Sequence, residues 1–118
     1  MKWCLLSLLL LSTSANAFEL VEMTFDAKVE NASLVMIGTV EQVEPRNPRR
    51  LTFAQIKVDS LLKGAAPKTI CVQTNHSNPE ESFVVAVGRR YLFLLNKHQD
   101  CYVSVNGHFA VIAVDGKD

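Results

Sequence analysis

Several things this sequence lacks narrow its function before anything present is read. It has no excess of positive charge: 12 Lys+Arg stand against 12 Asp+Glu. That balance gives no electrostatic case for a nucleic-acid partner. No glycine-rich phosphate loop occurs, which argues against a nucleotide-driven enzyme. No apolar run is long enough to cross a bilayer, which takes about 20 residues. The run Leu5–Leu11 is too short, and the later runs Phe83–Val87 and Tyr91–Leu95 are strand-sized. Cysteine is scarce, at 3 residues, and histidine equally so. Among His76, His98, His108 and the cysteines, no two stand at metal-ligand spacing. Ser77, Ser82 and Ser104 lie in no G-x-S-x-G elbow, and the carboxylates are scattered. The expectation is therefore no catalytic set, no metal and no cofactor.

What is present begins with an address. Met1-Lys2-Trp3 is a basic start, Leu5–Leu11 an apolar stretch, and Ala15-Asn16-Ala17 a small-residue end. This is the pattern of a secretory signal peptide over residues 1–17, cleaved after Ala17, with an uncleaved anchor as the alternative. Cys4 lies too early for a lipidated cleavage point. The mature chain would begin at Phe18 and comprise residues 18–118 as one domain, secreted or periplasmic, with no membrane span.

Removing the leader leaves Cys71 and Cys101. An even pair in an oxidising compartment points to one disulfide. A metal pair with His76 or His98 and a reactive thiol are the alternatives, and neither has ligand or catalytic spacing behind it.

Thr24 is a candidate helix cap, Asp26 suits the first turn, and Phe25, Val29 and Ala32 form an apolar stripe. Leu34–Glu44 reads as a strand, with Gly38 marking a bulge or bend. Residues 45–50 (PRNPRR) read as a loop. Thr52–Leu62 alternates Ala54, Ile56 and Val58 with Gln55, Lys57 and Asp59, the period of a strand with one wet face. Its phase slips at Leu61-Leu62. Thr69–Thr74, Phe83–Val87, Arg90–Leu95 and Cys101–Val105 are further strands. Residues 75–82 and Asn96–Asp100 are polar loops, and residues 115–118 a frayed tail. Asn106-Gly107 is a hairpin signal, with Phe109–Val114 pairing back. One short N-terminal helix and about six strands, with turn signals every eight to twelve residues, predict a small antiparallel barrel or sandwich. Periodicity does not choose between them.

The order of landmarks does more. Residues 32–44 read ASLVMIGTVEQVE, a strand ends in VDSLLKG at 58–64, and FVVAVGRRYLFLL at 83–95 precedes a Cys-bearing hairpin. The chain thereby resembles the netrin-like and tissue-inhibitor-of-metalloproteinases superfamily, in a short bacterial secreted form. The matching positions are Ala32, Val35, Gly38 and Val40; Val58, Leu62, Lys63 and Gly64; and Phe83, Gly88, Tyr91, Leu92 and Leu95. The resemblance covers about residues 30–105. It implies a closed or partly open OB-fold barrel, and a function by protein–protein contact, inhibitor-like. It departs from the family where the animal inhibitors chelate zinc through an N-terminal Cys. The start expected here, Phe18-Glu19-Leu20, has none.

The remaining candidates are basic. Arg46, Arg49 and Arg50 form one cluster and Arg89-Arg90 another. OB-folds bind ligands through loops and a sheet face. If the clusters converge, they would grip an acidic protein patch or an anionic envelope glycan. Arg46, Arg49, Arg50, Arg89, Arg90 and Phe18 are thus the candidate binding residues. The partner expected first is another extracytoplasmic protein, with cell-envelope carbohydrate as the alternative. Asn31-Ala32-Ser33 and Asn75-His76-Ser77 match the N-glycosylation sequon.

Overall fold

A computed structural model describes residues 20–46, 51–75 and 81–114. The leader with its cleavage point, Phe18, Arg49, Arg50, His76 and residues 115–118 lie outside the described residues, as does the side chain of Arg46.

Helix α1 spans Phe25–Asn31 and starts where the capping residue places it: the Thr24 hydroxyl oxygen accepts from the Ala27 amide at 3.2 Å. At the other end Lys63 Nζ donates to the carbonyls of Val29 and Glu30, which have no partner within the helix. The buried face differs from the predicted stripe. Val29 and Ala32 pack inward, but Phe25 is 52% exposed, and Lys28, at 3%, is buried instead. Lys28 tolerates burial because its ammonium donates to the Phe109 carbonyl at 2.7 Å and to Glu22 Oε2 at 3.1 Å. Its alkyl stem supplies apolar contact on the way.

Six strands follow: β1 (Leu34–Arg46), β2 (Leu51–Lys63), β3 (Thr69–Gln73), β4 (Arg90–His98), β5 (Cys101–Ser104) and β6 (Val111–Ala113). The order β1-β2-β3-β5-β4, with β1 also pairing β4, closes a five-stranded barrel. The expected small barrel with a short helix is what forms. Its pairings are antiparallel except one: β3 and β5 run parallel, meeting at Val72↔Tyr102. β1 reaches two neighbours because it bends. Its ladder to β2 slips register at Val35/Met36, Ile37/Gly38 and Val40/Gln42. Each irregularity adds local twist. Gly38 sits at one of them, where an added Cβ would lie 2.5 Å from Ile56 Cγ2 and 2.8 Å from the Lys57 carbonyl. Pro45 and Arg46, expected in a loop, extend β1 instead.

Alternation along the strands fills the barrel with Leu34, Met36, Val40, Ala54, Ile56, Val72, Phe93 and Leu95. A second, smaller core forms outside it, where Val35 and Leu94 meet Ala32 and Ala110. This is how the helix is held against the sheet. Full burial of side chains such as Phe93 and Leu34 is worth about 1.5–3 kcal/mol each.

Two predicted features come out differently. In the segment expected as strand Phe83–Val87, residues 83–86 join no ladder, and Val87 and Gly88 form a turn. Its Phe83 and Val85 drop into the barrel core while Val84 stays 93% exposed. Its backbone is satisfied singly: the Phe83 amide donates to the Thr74 carbonyl, and the Ala86 amide donates to the Tyr91 hydroxyl. Gly88, at φ 90°, turns the chain into β4.

Asn106-Gly107 makes no hairpin. β5 pairs with β4 at residues 95–98 and β6 pairs with it at 91–93, both antiparallel. β1 occupies the other edge of β4, so β5 and β6 lie one after the other along the same edge. The chain keeps its direction and merely bulges out through a 3₁₀ turn at Gly107–Ala110. Local turn preference loses because the buried Asn106 carboxamide is committed elsewhere. Its Oδ1 accepts from the Met23 amide at 2.7 Å, and its Nδ2 donates to the Val21 carbonyl at 3.1 Å.

Candidate functional site

The basic clusters do not converge as far as they are described. Arg90 pairs across the ladder with Thr39, whereas Arg46 is the last residue of β1. Seven residues of strand put the two backbones about 20 Å apart. Arg90 is also engaged locally, with Nε 3.6 Å from Asp59 Oδ2. The same carboxylate oxygen accepts from the Thr39 hydroxyl at 2.6 Å, and Lys57 Nζ lies 3.8 Å from Asp59 Oδ1. Asp59, absent from the sequence candidates, therefore offsets part of this charge. The Arg89 guanidinium stands 6.0 Å from the centre of the Tyr91 ring.

Cys71 and Cys101 are joined in a disulfide, with Cα atoms 4.7 Å apart and a sequence separation of 30. The cross-link ties β3 to the first residue of β5, across the same parallel seam that closes the barrel. Neither sulfur is available as a nucleophile or a metal ligand in this state. Among the described residues, no group of three or more His, Cys, Asp or Glu side chains is placed to hold a metal ion. His98 ends β4, exposed, and His108 lies on the 3₁₀ turn with its ring 4.0 Å from that of Phe109. No helix among the described residues is long and apolar enough to cross a membrane.

Two depressions flank the start of β2, one on each face. Successive strand residues point to opposite sides, and Ala54 and Ile56 belong to the barrel interior. Thr52 shares their side, while Leu51 and Phe53 face outward. On the inner side, at the mouth of the barrel, an apolar groove of about 210 Å³ lies between Val43, Thr52, Thr74, Phe83, Val84 and Val85. Among the described residues, the pairing of β1 with β4 stops at Thr39↔Arg90, Val40 bonds on to Gly88 and Arg89, and the pairing with β2 runs on past this groove to Arg46.

On the outer side a second pocket, of about 270 Å³, is bounded by Leu51, Phe53, Gln73, His98 at the end of β4, the turn Gln99–Asp100 and Cys101. Its walls come from three separate parts of the chain, and the disulfide pins two of them together. Gln73 is held in place: its Nε2 donates to the Asn75 carbonyl at 2.9 Å, and the Asn75 side-chain oxygen in turn accepts from the Thr52 amide. Gln99 takes φ 57°, the one non-glycine residue with positive φ among those described. That conformation costs a side-chain-bearing residue about 1 kcal/mol or more.

Sequence reasoning missed this pocket. The polar loop expected at Asn96–Asp100 is strand as far as His98, because β4 pairs with β5 up to His98↔Cys101, and only Gln99 and Asp100 turn; Gln73 is not among the sequence candidates. The available signal was topological: a polar turn leading into a disulfide-bonded Cys must lie beside the strand that carries the other Cys. Comparison of the chain with protein-family models and with curated proteins finds no match.

Proposed function

We propose that the protein is an extracytoplasmic, non-enzymatic binding module that works by contact with another protein through the mouth of its barrel. The observation that carries this reading is the apolar groove at that mouth, with Val84 standing 93% exposed on its rim and Val87, 63% exposed, just beyond. Apolar side chains so fully presented beside a groove are what a partner surface covers.

The compartment is part of the proposal: secreted or periplasmic, after removal of residues 1–17. The Cys71–Cys101 cross-link supports it, because such bonds persist in oxidising surroundings. The resemblance to netrin-like and metalloproteinase-inhibitor domains supports action by contact. The expected start at Phe18 carries no cysteine, so this contact does not work by zinc chelation.

The test uses the mature chain, residues 18–118, as bait in secreted or periplasmic extract of the source organism. Saturable capture of a protein partner, lost in a Val84→Glu/Val87→Glu variant of unchanged stability, is the expected result. No saturable partner at any salt concentration, or capture indifferent to both substitutions, contradicts the reading.

A further inference from the structure

We infer that the outer pocket beside the disulfide is a binding site for a neutral sugar ring, a single pyranose or the end of a chain. This inference stands apart from the protein-contact reading, since the pocket lies on the opposite face of β2 from the barrel mouth.

Size comes first. A volume of about 270 Å³ falls just below the range of drug-sized pockets, about 300–1,000 Å³, which suits one ring and little more. Chemistry decides among small ligands. The polar side chains at the pocket are two carboxamides (Gln73 and Gln99), one imidazole (His98) and one carboxylate (Asp100). A simple anion needs donors throughout, and Asp100 repels it. A simple cation needs acceptors throughout, and carboxamides present donors as well. A hydroxyl group both donates and accepts. A row of vicinal hydroxyls is therefore the ligand chemistry that uses this mixture. Leu51, half-buried, supplies an apolar wall for the C–H face of the ring, backed by the largely buried Phe53. A metal ion is a poor fit, because one carboxylate and one imidazole fall short of a ligand set.

The pocket is also built in advance. The disulfide fixes the start of β5, and with it the turn Gln99–Asp100, against β3. The contacts through Asn75 fix Gln73 from the other side. The positive φ of Gln99 places a carboxamide where glycine would be the relaxed choice. That φ is the one a two-residue hairpin turn between His98 and Cys101 requires, so the turn's own geometry fixes where the carboxamide is rooted.

The experiment is an NMR titration of the disulfide-bonded mature chain with three probes: N,N′-diacetylchitobiose, maltose and digalacturonate. The expected result is saturable shifts from at least one of the two neutral disaccharides, confined to Leu51, Phe53, Gln73 and residues 98–101, with weaker or no response to digalacturonate. Gln73→Ala and Asp100→Ala, both at solvent-accessible positions, should each weaken binding about ten-fold or more while the rest of the spectrum is unchanged. Gln99→Gly should weaken binding without lowering the melting temperature. No saturable shift with either neutral sugar overturns the inference. So does tighter binding of the anionic disaccharide, or binding that maps away from the pocket or survives all three substitutions.

Discussion

Replacing both bridging cysteines, Cys71→Ala/Cys101→Ala, should cost this barrel about 3–4 kcal/mol. The figure follows from the chain-entropy cost of closing a loop of the observed span, 30 residues, in the unfolded chain. A domain of this size has about 5–15 kcal/mol in all, so the variant should still fold, with its melting temperature lowered by roughly 15–25 °C. The structure adds where the damage should appear. β3 and β5 meet only at Val72↔Tyr102, whereas β1 and β2 pair over their full length. The cross-link is thus the main tie across the weakest seam of the barrel. Urea unfolding under non-reducing conditions, parent against variant, measures the loss. Amide exchange measures its place: Val72 and Tyr102 should lose protection while Val35–Val40 keeps theirs. A loss below about 1 kcal/mol, or exchange rising equally in every strand, would refute the argument that this bond closes the barrel.

Three glycines separate two kinds of cost. Gly88→Ala meets no atom within 4 Å and suffers only its positive φ, so it should cost about 1 kcal/mol; Gly38→Ala meets Ile56 and the Lys57 carbonyl and should cost about 1–3 kcal/mol; Gly64→Ala, at φ 84° and against the Ser33 carbonyl, should cost most. Equal losses at Gly64 and Gly88 in urea unfolding would show that the contact with Ser33 is unimportant. Tyr91→Phe removes the acceptor of the Ala86 amide and should cost about 1–3 kcal/mol. The same change should raise exchange at Ala86 specifically. Lys28→Ala leaves the Phe109 carbonyl without its donor and should loosen α1, seen as increased exchange at Val29 and Ala32 with the barrel strands unaffected.

The parts of this fold readable from sequence are those governed by one local rule. Alternation at Ala54, Ile56 and Val58 placed β2, a hydroxyl at Thr24 placed the start of α1, and two cysteines in a small chain paired. The parts misread are those where a distant partner overrides a local preference. Asn106-Gly107 has turn chemistry, yet Asn106 is used to clamp residues 21–23, and the chain runs straight on into β6. Phe83–Val87 has strand composition, yet among the described residues no neighbour lies in ladder register, and its Phe83 and Val85 serve as a plug for the barrel. Lys28 shares the inward face with Val29 and Ala32 but carries a charge that argues for exposure; it is buried because Glu22 and the Phe109 carbonyl accept from its ammonium. The candidate sites suffered in the same way. Arginines are conspicuous in a sequence, but Arg90 turns out to face Asp59 across the sheet. The polar pocket draws on Leu51, Gln73 and Asp100, residues far apart in sequence that only the closure of the barrel brings together.

The proposal of a contact module is tested most directly by site-specific photo-crosslinking in the source cells. A photoreactive residue is placed at position 84, at the barrel mouth, and separately at position 57, on the outer face of β2. The account predicts a discrete protein adduct from position 84 and none from position 57. Adducts from position 57 alone, or none from position 84 in cells that export the folded chain, would contradict it.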